Sequence, residues 1–521
     1  MDILWTVFDI VSDEDSPETS LDTLRHASQV STAWRNLLLY SSSSLWGRLM
    51  NLDVLNERSF HWRTEVLRRS GDAPLYIHSR ASERSRELEA LEDEKFLETL
   101  IVDNWHRIKS LSIKIPFHLL LEDSPITGML RVPAPLLQTF SVALHYRWNV
   151  PEDRTTHLVD FGGQAPYLRN FDANFLLMPN RGSWLVDLRT LCFKSHHTAH
   201  EMLKILRFMP SIESLEIFCA NGHKKKDEAV STSLDNWVGS KVALSRLKTI
   251  SIHAAAPNWT DYFLFLENIG ITASHCLEFE FRSHHTDATF PDISRLANIL
   301  RNYMEISSFT EKISESRNRK RLRMSFNESS IYILTHNLEL ILEFSSSHVQ
   351  YIITLIKQLS PYDIYWRHIT HLAFILTPDI LDDLLLPNSD EDQHLMRLLS
   401  HLTSVEYLEI LDGDTMEYIT NAQASQAELF PSLLSIELNN ADMMSSAWQK
   451  LVRFLVGRKR PVKELIFTPP LTIRAINLTA FEPLDGLTIV WGATSGAGRR
   501  EYICGHQERR EKTSHLQDRF D

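Results

Sequence analysis

What this chain has little of narrows the field first. Its 521 residues include only four cysteines, Cys192, Cys219, Cys276 and Cys504, far apart and without a CxxC spacing. Neither a disulfide framework nor a cysteine zinc site is expected, and a reducing compartment, cytoplasmic or nuclear, fits best. Glycine is scarce at 16 residues while 43% of the chain is hydrophobic, which excludes wholesale disorder. No apolar run approaches the roughly 18 residues that a membrane span needs. The opening MDILWTVFDIV carries Asp2 and Asp9 and no basic segment, so it does not read as a secretory signal. Positive charge is in deficit as well. Lys and Arg number 54 against 67 Asp and Glu, and the net charge of -13 repels nucleic acid and anionic lipid.

What is present begins with short amphipathic segments. In MDILWTVFDIVSDED, the residues Ile3, Leu4, Val7, Phe8 and Val11 recur as one apolar helix face. A second segment carries Leu21, Leu24 and Ser28. A third carries Val30, Trp34, Leu37 and Leu38 and is closed by a serine run before Leu45 and Trp46. Three helices within residues 1–50 bury too little surface to offset their chain entropy. They require a partner, as a docking module does, or the rest of the chain, as a cap on a larger core does.

These residues resemble an F-box, whose usual form opens LP-x-E-[IL]-L-x-x-I-F, centres on S-L-x-x-x-[SA]-x-V-[CS]-x-x-W-R and closes on L-W. The matching positions are Ile3, Leu4, Val7 and Phe8, then Leu21, Leu24, Ser28, Val30, Ser31, Trp34 and Arg35, then Leu45 and Trp46. The stretch EVLRRSGDAPLYI, residues 65–77, is similar to the [LI]-x-R-S-G-x-x-P-L segment that follows the F-box in many fungal members. The Leu-Pro of the usual opening does not precede Asp2. The resemblance implies that Ile3, Leu4, Val7, Phe8, Leu21, Leu24, Val30, Trp34, Leu37, Leu45 and Trp46 dock the Skp linker protein and, through it, a cullin. It further implies a substrate-recruiting adaptor of an SCF-type cullin-RING ubiquitin ligase, which needs no cofactor and no catalytic residue of its own. The alternative is a leucine-rich-repeat-like scaffold or sensor without ligase docking.

From about residue 105 a local pattern recurs, Φ-x-x-Φ-x-Φ, in which Φ is apolar and the last two Φ alternate as in a half-buried strand. It begins at Ile108, Leu137, Leu168, Leu188, Ile212, Leu247, Cys276, Leu338, Ile369, Val405, Leu433, Val462 and Leu484. Chance alone supplies this pattern in roughly 8% of windows, so the spacing matters more, mostly about 20 to 36 residues between units. Proline precedes the first Φ by two residues at Pro135, Pro166, Pro210 and Pro431, where chance would place about half a proline. Amphipathic helices fall between strands, at AHEMLKILRFM, VQYIITLIKQL and AWQKLVRFLV.

The expected fold is α/β, a small N-terminal three-helix F-box over 1–50, then a helical linker or cap over 51–104. An irregular leucine-rich-repeat-like solenoid with a parallel sheet follows over 105–490, and a mobile polar tail over 491–521. The double-length interval from Phe279 to Leu338 suggests extra strands in a hairpin insertion. Residues alternating with the buried Φ positions are Asp172, Glu216, Glu278, Glu280, Glu409, Glu437 and Glu464 against Lys114, Lys194 and Arg282. This predicts an acidic concave face that binds a target protein through a basic patch.

Candidate chemistry elsewhere is thin. In HHTAHE, His196 and His200 share the i, i+4 spacing of zinc ligands with Glu201 as a potential base, yet the order is not HExxH and no third ligand is signalled. A polar loop and helix start is the plainer reading. FGGQAP and GATSGAG lack the lysine and following helix of a phosphate-binding loop. The basic runs HKKKDE and RNRKRLR read as solvated loop charge.

Overall fold

The computed structural model describes residues 2–13, 17–40, 42–56, 58–79, 90–121, 123–144, 157–173, 176–179, 181–194, 197–218, 241–255, 259–270, 276–282, 292–311, 321–327, 330–335, 338–343, 349–361, 363–377, 390–425, 428–439, 445–468, 478–491 and 500–505. Internal contacts divide the chain into two units. The first holds Met1–Ile250 with Leu264–Gly270, the second Ser251–Phe263 with Ile271–Asp521.

The first unit opens with four helices rather than three: α1 (Asp2–Asp13), α2 (Pro17–Val30), α3 (Thr32–Tyr40) and α4 (Ser43–Arg48). Ser31 interrupts the run between α2 and α3, its hydroxyl accepting from the Trp34 amide at 3.1 Å. Leu45 and Trp46, expected after the last helix, ride on α4 and are fully buried, and the Trp46 indole donates to the Leu38 carbonyl at 2.7 Å. Arg48 ties α4 back to Asp9 of α1 at 2.9 Å.

The helices pass into a sheet without an intervening linker. Strand β1 (Met50–Asn51) pairs in parallel with β2 (Leu75–His78), and β2 with β3 (Ile108–Ile115). Between them lie α5 (Leu52–Asn56), α6 (Phe60–Ser70) and α7 (Ala90–Asn104). A Cβ on Gly47 would stand 2.4 Å from the Pro74 carbonyl oxygen, so only glycine lets α4 approach the strand this closely. The Arg69 guanidinium lies over both Trp46 at 4.6 Å and Trp62 at 5.2 Å. Buried Arg107 donates to Asn104 Oδ1, the Ala73 carbonyl and the Ser70 hydroxyl. Sheet structure thus starts at Met50, where the expected helical linker begins, and β2 lies inside that segment.

The parallel order continues through β4 (Thr139–Leu144), β6 (Asn170–Ala173), β8 (Thr190–Lys194) and β9 (Ser214–Phe218). Two small ladders flank it, β5 (His157–Leu158) with β7 (Leu176–Leu177) and β10 (Val242–Ala243) with β12 (Ile269–Gly270). Strand β11 (Thr249–Ala255) begins in the first unit and ends in the second. FGGQAP forms a left-handed turn, with φ of 50° at Phe161, 56° at Gly162 and 72° at Gly163. It drives the Phe161 ring into an aromatic core against Trp105, Phe140, Phe171 and Trp184.

The second unit contains β13 (Cys276–Arg282), β14 (Arg321–Asn327), β15 (Ser330–Leu334), β16 (Leu338–Glu343), β17 (His371–Leu376), β18 (Tyr407–Ile410), β19 (Ser435–Asn439), β20 (Glu464–Thr468), β21 (Thr488–Trp491) and β22 (Arg500–Ile503). Its spatial order runs β13, β16, β15, β14, β17, β18, β19, β20, β21, β22, with only β15 and β22 antiparallel to their neighbours. The insertion is therefore a three-stranded meander. Within β16 the buried residues are Leu338, Leu340 and Leu342, so the register expected from Leu338, Ile341 and Glu343 is one residue out. Half-buried Cys276 likewise yields its expected core place to Leu277. The segment expected to be a mobile tail supplies β22, followed by buried Cys504, whose thiol burial pushes up to about 11. The three expected helices form at Ala199–Leu206, Val349–Leu359 and Ser445–Val456.

A common turn explains the prolines. The first Φ of a repeat closes an i→i+3 hydrogen bond, Leu137 onto Ala134, Leu168 onto Ala165, Ile212 onto Met209 and Leu433 onto Phe430. Pro135, Pro166, Pro210 and Pro431 each occupy the second position of that turn, whose φ proline presets. Just after it, one carbonyl accepts two amides of the next repeat. Arg169 O takes Arg189 N and Thr190 N at 2.7 and 2.9 Å, and Glu406 O takes Leu434 N and Ser435 N at 2.8 and 2.9 Å.

Candidate functional site

Two surfaces carry the residues singled out by sequence. On α1, Ile3, Val7 and Ile10 fall at i, i+4 and i+7 and so share one face, exposed by 80%, 46% and 59%. Val30, at the end of α2, is 65% exposed. Beneath, Phe8 is buried edge-on against the half-buried Trp34 ring, centroids 5.3 Å apart. Burial divides the eleven expected docking residues by role. Phe8, Leu21, Leu24, Leu37, Leu45 and Trp46 form the unit's own core, while Ile3, Val7, Val30 and the edges of Leu4 and Trp34 are within reach of another protein. Ile10 was missed, although a helical period drawn from Ile3 and Val7 reaches it.

The second surface is the non-core face of the strands. In the first unit, cross-strand register aligns Ser112, Ser141, Asp172, Cys192 and Glu216. Cys192 separates the two carboxylates, and Asp172 accepts from the Ser141 hydroxyl at 3.2 Å. The next row is neutral: Ser110, Thr139, Asn170, Thr190 and Ser214.

In the second unit Glu409 and Glu437 are direct register partners on β18 and β19. Like charges set opposite each other repel, and their hydrogen bonds offset this. Asn439 donates to Glu409 at 2.6 Å, and the hydroxyls of Tyr407 and Thr468 donate to Glu437. Burial raises the Glu437 carboxyl above its ordinary pKa. Tyr407 stacks on His371 with centroids 5.0 Å apart. Glu464 lies one row aside, across from Ser435. Glu278 and Glu280 sit on β13, separated from β18 by β16, β15, β14 and β17, strands spaced about 4.8 Å apart. Glu339, Leu334, Arg323 and Ala373 fill the row between Glu278 and Glu409, so the acids are parted at β15, β14 and β17. Within the second unit Glu278 and Glu280 thus form one group, and Glu409, Glu437 and Glu464 another.

Beside Glu280 lies an arrangement that sequence reasoning missed. Ser251 Oγ stands 2.8 Å from His253 Nε2, and His253 Nδ1 stands 2.6 Å from Glu280 Oε2. The only signal in the sequence was a serine and a histidine on alternate positions of one strand.

The HHTAHE segment resolves into helix capping. Thr198 and Glu201 form a capping box, with the Thr198 amide donating to Glu201 at 2.8 Å and the Glu201 amide to the Thr198 hydroxyl at 3.3 Å. His200 is exposed, and His196 lies outside the described residues. Among the described residues no three His, Cys, Asp or Glu side chains converge to hold a metal, and no helix is long and apolar enough to cross a membrane. A scan against protein-family models matches none, and a search of curated proteins finds no match.

Proposed function

We propose that this chain is a substrate-recruiting adaptor of an SCF-type cullin-RING ubiquitin ligase. The observation that carries the reading is the stripe of Ile3, Val7 and Ile10, apolar, on one helix face and open to solvent. Apolar side chains gathered on a folded surface mark interaction sites. Together with the F-box resemblance of residues 3–46, the stripe is assigned to the Skp linker protein, which bridges to a cullin. Parallel strands joined through helices support a leucine-rich-repeat-like solenoid as the target-holding part. Its half-buried glutamates favour a target with a basic patch. Catalysis in such an assembly is proximity, a target lysine held near a ubiquitin-loaded enzyme bound elsewhere.

Co-purification with recombinant Skp linker protein tests the docking. Val7→Asp with Ile10→Asp should abolish capture and leave the far-ultraviolet circular dichroism unchanged, because both side chains are exposed. Normal capture by the double variant would remove the docking assignment. A wild-type chain that captures no linker would instead favour the scaffold or sensor reading.

A further inference from the structure

We propose that Ser251 is a base-activated nucleophile able to take an acyl group from an activated ester, with His253 as general base and Glu280 as the residue that positions it. Ser251 and His253 stand two residues apart on β11, and therefore share a face of the strand. Glu280 reaches them from β13. The contacts run in one order, hydroxyl to Nε2 at 2.8 Å and Nδ1 to carboxylate at 2.6 Å. An ionised carboxylate can only accept, so Nδ1 carries the ring proton and donates it to Glu280. Nε2 is then left with its lone pair facing the Ser251 hydroxyl. A nucleophile on a base, with the base oriented by a third group, is the general signature of an activated nucleophile.

The location also suits the chemistry. The His253 and Glu280 side chains retain 22% and 16% exposure, so the pair is largely withdrawn from water yet open to a ligand on the sheet face. Glu278 lies two residues from Glu280 on the same face of β13, which disfavours anionic esters relative to neutral or cationic ones. In the acyl-transfer step, Ser251 Oγ bonds to the carbonyl carbon as its proton passes to His253 Nε2. The bond to the leaving alkoxide breaks, and the Nε2 proton leaves with it as the alcohol. Water, deprotonated by the same Nε2, then releases the carboxylic acid and restores the hydroxyl. Base activation of this kind contributes about 10²–10⁴-fold.

The test uses the full-length chain and a biotinylated fluorophosphonate, in which Ser Oγ bonds to phosphorus and fluoride leaves. Modified serines are located and timed by peptide mass spectrometry. Exposed Ser245, in the turn that closes Leu247 onto Leu244, serves as the internal reference. Ser251 should react at least about tenfold faster than Ser245. His253→Gln and His253→Asn should each remove that advantage with circular dichroism unchanged, and Glu280→Gln should move the pH profile of the rate. Reaction of Ser251 no faster than Ser245, or undiminished reaction in both folded His253 variants, would overturn the proposal. Neither result bears on capture of the Skp linker protein, which uses other residues.

Discussion

At the scale of single residues, burial and hydrogen bonding settle what a residue type leaves open. Trp46 and Ile3 both belong to the apolar pattern of the first fifty residues, yet one is sealed in the core and the other is 80% exposed. Periodicity marks both as apolar-face positions but cannot say which face meets the chain and which meets solvent. Glu437 shows a comparable split between sequence and setting. It reads as a surface acid, but burial raises its carboxyl above the ordinary value, and the hydroxyls of Tyr407 and Thr468 donate to it. A raised carboxyl means that the fold binds the proton more tightly than the unfolded chain does. Its contribution to stability is therefore full at low pH and fades as pH rises through the folded value. Glu437→Gln, neutral at every pH, should raise the urea midpoint at neutral pH and flatten the decline that sets in above the ordinary carboxyl range. A lower midpoint at neutral pH would show that the ionised carboxylate is favourable there.

At the scale of elements, the repeat was legible because one turn recurs with its own chemistry. Proline at the second turn position and an apolar residue at the fourth leave a mark on the sequence at Pro135, Pro166, Pro210 and Pro431. The meander was legible only as an interval of double length. Its register was not, because LELILE offers apolar side chains on both faces and the antiparallel partner β15 chooses between them. Strand β22 was hidden by its polar composition, since it is held by pairing with β21 and by Glu482, which accepts from the Tyr502 hydroxyl and the Gly505 amide. One turn is secured differently from the others. Phe430 adopts φ of 51°, a conformation disfavoured for a bulky residue, and buried Arg458 donates to the carbonyls of Leu429 at 2.9 Å and Phe430 at 2.5 Å. Arg458→Met should cost about 2–4 kcal/mol by taking the guanidinium from both carbonyls, of which Phe430 keeps the Leu433 amide. Hydrogen exchange should then speed first at residues 428–434, and uniform protection there would refute a local role for this guanidinium.

At the scale of the whole chain, the alternation of buried and half-buried strand positions was readable, whereas the sequence could not place one strand beside another. The acids of the second unit are divided by the four strands between β13 and β18, three of them the meander and the fourth β17. The division makes a specific expectation for binding. An oligolysine peptide should lose affinity in two separable steps, one on Glu278→Lys with Glu280→Lys and one on Glu409→Lys. Both steps should shrink as salt is raised from about 0.01 to 0.15 M and the screening length falls. Fluorescence anisotropy of the labelled peptide reads this directly, and unchanged affinity in all three substitutions would exclude the sheet face as its site.

The carbonyl that receives two amides from the next strand gives several repeats the same socket and the same plug. Gln138, Arg169, Thr370, Glu406 and Leu434 have little in common as side chains, and each fills the position through its backbone alone. Insertion or loss of a whole repeat would leave its neighbours' bonding intact, so gene duplication can lengthen such a chain in whole strands while side chains on the sheet face diverge freely.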